Sequence, residues 1–177
     1  MVESLLVLAR ADAGRLELHP TLFDLRPLAE ESLLMAQPLA QEKRVTLSAE
    51  LIDVKLHADR TRIAQLFTNL LSNAVRYNRT GGSVKLKIQC DDHIVCISVV
   101  DTGLGIAESD QAHVFERFFR ADKARSREAG GSGLGLAICR SIVAAHGGTI
   151  TFTSKIDDGT SFIVRLPEKY LEPSLSV

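Results

Sequence analysis

The sequence predicts an α/β fold class, a chain of mixed helices and strands, from three observations. A long apolar pattern with helical spacing follows Asp59, and alternating residues from 84 to 99 predict a β-hairpin. The segment 130–138, GGSGLGLAI, is rich in glycine and runs directly into another helical pattern. Glycine lets backbone N–H groups turn toward a ligand, and a helix start has unpaired donors. This last segment therefore favours an anion such as phosphate.

Length and composition narrow the possible functions. The chain has 177 residues, 45% of them hydrophobic, which suffices for one domain with a substantial core. A net charge of −1 does not favour nucleic acid or an anionic membrane as a partner, and no apolar run approaches the ~18 residues of a membrane span. The first residues lack the pattern of a signal peptide, so we expect no secretion, and the cysteines Cys90, Cys96 and Cys139 lack CxxC spacing. We expect a cytoplasmic domain without a zinc site and without contact to nucleic acid or membrane.

The first third of the chain predicts two helices and short strands. Residues 2–13 have helical spacing and end at Gly14, and residues 16–24 read as a linker with a short strand. Residues 25–43 predict a second helix, in which Pro38 should cause a kink or a break. Strand patterns follow at 45–51 and 54–57.

Asp59 is a good N-cap for the long helix that follows it. One face of this helix is apolar and comprises Ile63, Leu66, Phe67, Leu70, Leu71, Ala74 and Val75. A polar stripe runs along it at steps of four, four and three residues: Gln65, Asn69, Asn73 and Arg76. Each mid-helix asparagine costs roughly 0.5 kcal/mol of helix propensity. The stripe therefore indicates either a ligand or bonds to neighbouring backbone.

The hairpin that follows predicts an inward carboxylate. With Asp91-Asp92 as its turn, every facing pair is apolar: Ile88 with Val95, Leu86 with Ile97 and Val84 with Val99. Continued alternation places Asp101 on the same inward face, where a carboxylate needs a partner or a ligand. Asp101 also begins a D-x-G-x-G turn, whose glycines permit close approach of another backbone or a ligand.

The last third predicts a basic loop, a helix and a second hairpin. Residues 114–120 read VFERFFR, and residues 121–130 look like a mobile basic loop. A helix is predicted from about Ser132 to His146, where glycines end it. Residues 149–154 and 160–166 predict the strands of the hairpin, and a tail is predicted from Pro167 onward.

Two common phosphate sites do not fit the glycine-rich segment. A Walker P-loop requires GxxxxGK[ST], and no lysine follows these glycines. A Rossmann site requires GxGxxG directly after a strand, whereas this segment follows a basic loop.

Four motifs in order resemble those of sensor histidine kinases. NLLSNAVRYN (69–78) is similar to their N box, DTGLGI (101–106) to their G1 box, VFERFFR (114–120) to their F box, and GGSGLGLAI to their G2 box. The resemblance covers about residues 22–166. It implies the Bergerat ATP-binding fold, a two-layer α/β sandwich with a mixed sheet and helices on one face. The same fold occurs in type II topoisomerases, mismatch-repair ATPases and the ninety-kilodalton heat-shock chaperone.

The resemblance implies ATP and Mg²⁺ as cofactors and assigns roles to residues. Asn73 would hold Mg²⁺, and Asn69 would support the phosphates or the metal shell, which makes these two the catalytic candidates. Asp101 would accept the adenine amine, with Thr160 beside it. The remaining implied nucleotide-binding residues are Arg76, Tyr77, Gly103, Gly105, Ile106, Arg120, Gly131, Ser132, Gly133, Leu134, Gly135 and Leu136.

The family resemblance also indicates the reaction. Hydrolytic relatives carry a water-activating glutamate four residues before the metal asparagine, and here that position is Asn69, which favours phosphoryl transfer over hydrolysis. None of the five histidines has the family's phosphoacceptor context. We therefore expect the end of a dimerisation helix and a linker at 1–18, an ATP-binding domain at 19–168 and a tail at 169–177.

On this interpretation the acceptor histidine lies on a dimerisation domain missing here, and the phosphate passes on to a response regulator receiver domain. Two alternatives stay open. One is a nucleotide-gated interaction module without transfer chemistry, and the other is a serine kinase of the anti-sigma type.

Overall fold

A five-stranded mixed sheet is the framework of the protein. In the computed structural model, which describes residues 8–9, 16–120 and 132–169, its strands are β2 (Thr46–Glu50), β4 (Ser83–Asp91), β5 (Ile94–Asp101), β6 (Thr149–Lys155) and β7 (Gly159–Pro167). Their order is β2-β4-β5-β7-β6, with β2 parallel to β4 and the other pairs antiparallel. β1 (Thr21–Asp24) and β3 (Lys55–Ala58) form a separate antiparallel pair.

The helices cover one face of this sheet. They are α1 (Leu25–Lys43), α2 (Arg60–Arg76), the short α3 (Glu108–Gln111) and α4 (Gly135–Ala145). α2 lies between α1 and α4 and also contacts β4 and β5. On β4, Val84, Leu86 and Ile88 are buried beneath the helices, whereas Lys85 and Gln89 are exposed on the other face. The predicted two-layer α/β sandwich with a mixed sheet is confirmed.

α2 forms as its sequence predicts. Asp59 caps it, since Asp59 Oδ1 accepts the N–H of Arg62 at 3.0 Å. The whole predicted apolar face is buried, namely Ile63, Leu66, Phe67, Leu70, Leu71, Ala74 and Val75. The polar stripe is only partly buried, and its members Asn69 and Asn73 lie near Gly135 at the start of α4.

α1 continues through Pro38 without a break, so the predicted break is wrong, and the alternative of a kink stays a prediction. A proline inside a helix costs about 3 kcal/mol because it removes one hydrogen bond and crowds the preceding turn. Packing on both sides of Pro38 offsets this cost: Leu28 and Ser32 are buried before it and Ala40 after it.

The register of the first hairpin differs from the predicted one. Asp92 and His93 form the turn, both with positive φ (45° and 61°), as the favoured two-residue hairpin turns require. The pairs are Val84 with Asp101, Leu86 with Val99 and Ile88 with Ile97. The turn lies one residue further along the chain than predicted, which moves every partner by two. A shift of two preserves the side-chain alternation, so Asp101 still faces inward.

Two further boundaries differ from the sequence prediction. α4 begins at Gly135 rather than near Ser132, because the residues before it pack against the 114–120 segment instead. β7 extends through Pro167, and Glu168 donates its N–H to the His93 carbonyl and accepts that of His57. The tail predicted from Pro167 onward therefore starts too early.

The predicted N-terminal helix lies largely outside the described residues. The structure describes two residues of this helix, Leu8 and Ala9. Both are helical, and Leu8 is buried in the hydrophobic core. Within the described part of the chain, no helix combines the length and apolar character that crossing a membrane requires.

His146 joins the end of α4 to the start of α2. Its ring is buried; Nδ1–H donates to the Ile142 carbonyl at 2.8 Å, and Nε2 accepts the N–H of Asp59 at 3.0 Å. Nε2 can accept only while the ring is neutral. Burial lowers the pKa of His146 and outweighs the Ile142 bond and the Asp59 charge, which act in the opposite direction.

This network predicts a pH-dependent loss of stability. The unfolded chain takes up a proton on His146 near pH 6.5 and the folded chain only below it, so stability is complete above 6.5 and falls as pH decreases. His146→Ala should cost about 2–4 kcal/mol of unfolding free energy at pH 7.5. His146→Ala should also reduce the difference in the free energy of unfolding between pH 7.5 and pH 5.5, measured by urea denaturation. His113→Ala, which changes an exposed histidine, is the control. If His146→Ala keeps the wild-type difference in stability between the two pH values, His146 does not cause the pH dependence.

Candidate functional site

A cavity of about 290 Å³ lies between α2, the 101–107 loop, the 114–120 segment and the β6–β7 turn. Eight of the predicted site residues line it: Asn73, Tyr77, Asp101, Gly105, Ile106, Arg120, Leu136 and Thr160. The structure thus brings together residues from all four sequence motifs. The predicted residues Asn69, Arg76, Gly103 and Ser132–Gly135 lie outside its lining, and Gly131 lies outside the described residues.

Asp101 is the buried carboxylate of this cavity, with 8% of its surface exposed. Its Oδ1 accepts the N–H of Gly103 at 2.8 Å and the N–H of Thr160 at 3.2 Å. Burial raises the pKa of Asp101, and these two N–H bonds limit the rise. Oδ2 has no hydrogen-bond partner among the described residues, so this atom is available to accept an N–H from a ligand.

Hydrogen bonds through Thr160 and Ser154 connect Asp101 with Ile106, further along the same 101–107 loop. Thr160 Oγ1 lies 2.9 Å from Ser154 Oγ, and Ser154 Oγ accepts the N–H of Ile106 at 2.8 Å. Gln111 Nε2 donates to the carbonyls of both Ile106 and Ser154. The loop that carries Gly103 and Gly105 is therefore fixed to the β6–β7 hairpin by side chains.

Gly103 and Gly105 have structural reasons to be glycine that need no ligand. A Cβ on Gly103 would overlap the Tyr77 carbonyl oxygen. Gly105 has φ +68°, and a Cβ there would overlap the Lys155 carbonyl. The D-x-G-x-G motif thus lets this loop pack closely between α2 and the β6–β7 turn. The approach of a base to these glycines stays a prediction.

The two asparagines of the α2 stripe face the start of α4. Asn69 Nδ2 donates to the Gly135 carbonyl at 3.3 Å, and the buried Cys139 thiol lies on α4. Burial raises the pKa of Cys139 to about 12, so this thiol is not a nucleophile at neutral pH. Asn73 is the asparagine that lines the cavity. Asn69 therefore joins α2 to α4, and Asn73 is the one available to a ligand.

Arg120 is a half-buried cation at the end of the described 16–120 range. Its Nε and Nη2 are buried and form no hydrogen bond with any described residue. Such donors are costly to bury unless an anion completes them. Because Arg120 lines the cavity, its guanidinium indicates an anionic group in the ligand. Arg76 lies at the last turn of α2, outside the cavity lining.

The glycine-rich segment contacts the 114–120 segment at Gly133 and Phe118. Phe118 has a positive φ of 61° and donates its N–H to the Gly133 carbonyl at 2.9 Å. Leu134 is buried, and Leu136, in the first turn of α4, lines the cavity. Both segments border the residues 121–131, which are not described.

The residues present fit a magnesium ion that is held partly by a ligand. Amide oxygens such as that of Asn73 are suitable hard donors, and Mg²⁺ usually takes only one or two protein ligands beside phosphates and water. Among the described residues, no group of three His, Cys, Asp or Glu could form a complete metal site. A metal here would therefore depend on phosphate oxygens.

Sequence reasoning missed several residues of the lining. These are Ala74, Leu104, Ala107, Asp110, Val114, Phe119, Ile156 and Phe162. Four of the apolar members lie inside the quoted motifs but look like ordinary core residues there: Ala74, Leu104, Val114 and Phe119. Asp110 and Ile156 lie in a short helix and a turn whose placement depends on the tertiary structure.

A family model described as histidine kinase-, DNA gyrase B-, and HSP90-like ATPase matches residues 58–170. Among curated proteins, the probable sensor histidine kinase TcrY of Mycobacterium tuberculosis is 41% identical over 168 residues, which cover 94% of this chain and 35% of TcrY. The chain thus spans about a third of that relative's length.

Solved structures of histidine kinases share the fold. The catalytic domain of ThkA in a nucleotide-free form matches with a TM-score of 0.73 and 29% identity, over 85% of this chain and 97% of that one. Full-length ShkA in complex with AMPPNP matches with a TM-score of 0.82 and 30% identity, over 98% of this chain and 36% of ShkA. ThkA in complex with the response regulator TrrA matches with a TM-score of 0.72 and 25% identity, over 97% of this chain and 49% of that one.

Proposed function

Since this chain belongs to the histidine kinase-, DNA gyrase B- and HSP90-like ATPase family, we propose that it is the ATP-binding catalytic domain of a sensor histidine kinase. It binds Mg-ATP and transfers the γ-phosphoryl group to a histidine on a dimerisation domain. The observation that carries this proposal is one cavity with an acceptor at Asp101 and a cation at Arg120, two of whose buried nitrogens form no hydrogen bond with a described residue. These are the groups that a base amine and a phosphate chain require.

The lining assigns a role to each group. Asp101 Oδ2 accepts the adenine exocyclic amine, while Oδ1 keeps Gly103 and Thr160 in place. Arg120 pairs with the phosphates, and Tyr77 lies beside the nucleotide. Asn73 would hold Mg²⁺, which neutralises phosphate charge when bound. The described residues 132–134, which precede α4, would lie beside the phosphates.

Transfer to a histidine is favoured over hydrolysis by the carboxylates available. Asp101 and Asp110 are the acidic residues of the lining, and neither lies on α2. Asn69 stands where a hydrolytic relative has its glutamate, and its amide is occupied by the Gly135 carbonyl. An amide cannot remove a proton from water. The protein would therefore act by positioning ATP and neutralising its charge.

The proposed partners follow from the family. The imidazole of a dimerisation-domain histidine attacks the γ-phosphorus, a P–N bond forms, and ADP leaves. A response regulator receiver domain then takes the phosphate, as the complex of ThkA with TrrA suggests by analogy. We place the domain in the cytoplasmic part of a membrane-bound sensor.

A phosphoryl-transfer assay tests this function. The 177-residue chain should acquire no acid-labile label from γ-labelled ATP, because none of its five histidines has the phosphoacceptor context. A separately produced dimerisation domain with the family's acceptor histidine should become labelled in its presence. The same domain with that histidine changed to glutamine is the matched control. Acid-labile label on the chain alone would contradict the separate acceptor, and ATP binding without any transfer would indicate an interaction module instead.

A further inference from the structure

The β6–β7 turn forms a wall of the cavity that no sequence motif includes. Ile156, in this turn, lines the cavity although its hairpin lies at the edge of the sheet. It is a large hydrophobic residue with 55% of its surface exposed. A single exposed isoleucine needs no explanation by itself, but this one borders an open cavity.

The position of Ile156 is determined by bonds on both sides of it. Asp157 donates its N–H to the Leu104 carbonyl at 3.0 Å, and its own carbonyl accepts from Arg79 Nη1 at 3.4 Å. The Lys155 carbonyl packs against Gly105, where a Cβ has no room. The turn is therefore held against the 101–107 loop, and Ile156 stands at a defined place in the wall.

This wall belongs to the end of the cavity that contains Asp101. The turn bonds to Leu104, and three residues after Ile156 the chain reaches Gly159 and Thr160, which contact Asp101. Arg120 comes from the 114–120 segment, which is not bonded to this turn in the described structure. The apolar surface of Ile156 thus lies near the carboxylate that would bind a base amine.

We propose that Ile156 is a further nucleotide-positioning residue, which covers the purine ring while Asp101 binds its amine. This rests on the proposed function of the cavity as an ATP site. Burial of the exposed isoleucine surface by a flat apolar ring contributes affinity for the base and none for the phosphates. The β6–β7 turn, fixed by Leu104 and Arg79, then serves to set the position of the base.

Binding measurements on paired ligands test this proposal. Ile156→Ala should weaken ATP and ADP binding by about the same factor, roughly tenfold, since three carbons of apolar contact are lost. Binding of tripolyphosphate should not change. Ile156→Met, which keeps the apolar surface, should retain affinity within about threefold of the wild-type value. Ile94→Ala is the matched control, because Ile94 is 40% exposed and lies at the opposite end of β5 from Asp101.

Each outcome decides between distinct conclusions. If wild-type chain binds ATP and Ile156→Ala binds it equally well, the role of Ile156 is overturned and the ATP site stands. If Ile156→Ala weakens ATP and tripolyphosphate equally, the residue supports the fold rather than the base. If wild-type chain binds no ATP, the proposed function itself fails.

Discussion

Asp101→Asn should lower the affinity for ATP by about 100-fold while leaving the fold intact. An asparagine can keep Oδ1 as acceptor for the N–H groups of Gly103 and Thr160, which are 2.8 and 3.2 Å from it in the wild-type protein. Its other atom then becomes an NH₂ group and faces the adenine amine, so two donors oppose each other in a buried site. The loss should be visible by calorimetry.

The ATP affinity of the wild-type chain should also depend on pH. Because burial raises the pKa of Asp101, its carboxylate takes up a proton at a higher pH than an ordinary aspartate. This affinity should be highest at neutral pH and should decrease as the pH falls through the raised pKa of Asp101. The Asn variant lacks this dependence. Asp92→Asn, in the β4–β5 turn, is the matched control, and an Asp101→Asn variant that binds ATP normally would exclude the adenine contact.

Asn73→Ala should weaken Mg-ATP binding by about 30- to 100-fold, since it removes the amide side chain that α2 contributes to the cavity lining. The loss should be much smaller when magnesium is chelated, because Asn73 would act through the metal. This dependence separates a metal ligand from a residue that merely shapes the pocket. Calorimetry with and without magnesium provides the comparison.

Gln65→Ala is the matched control for Asn73→Ala. Gln65 carries an amide on the same stripe of α2, two turns before Asn73, and its Oε1 accepts from Arg62. Its loss should leave Mg-ATP affinity unchanged. Equal affinity of Asn73→Ala and wild type in the presence of magnesium would rule out the metal role.

The hairpin illustrates how far pattern reasoning reaches. Alternation predicted which side of β5 faces the helices, and Asp101 is buried there. The register was wrong because a shift of two residues preserves the alternation and still gives apolar pairs, Leu86 with Val99 and Ile88 with Ile97. The turn at Asp92 and His93 decided between them, because both residues adopt positive φ there.

In the candidate site, too, the sequence predicted some features and the tertiary structure decided others. Four residues that the family resemblance assigned to the nucleotide site line the same cavity: Asn73, Asp101, Gly105 and Thr160. The resemblance assigned both Asn69 and Asn73 to the nucleotide site, whereas in the structure Asn69 bonds to Gly135 and Asn73 borders the cavity. That distinction depends on where α4 begins, and Gly135 rather than Ser132 begins it because of contacts with the 114–120 segment.

By itself, the sequence determined the family, the fold class and the faces of the helices and strands, because hydrophobic periodicity and short motifs are local properties of the chain. The tertiary structure decided the hairpin register, the start of α4 and the wall that contains Ile156. These depend on contacts between segments far apart in the chain, such as Leu104 with Asp157 and Phe118 with Gly133. Such contacts form only when the whole domain packs, so no local pattern encodes them.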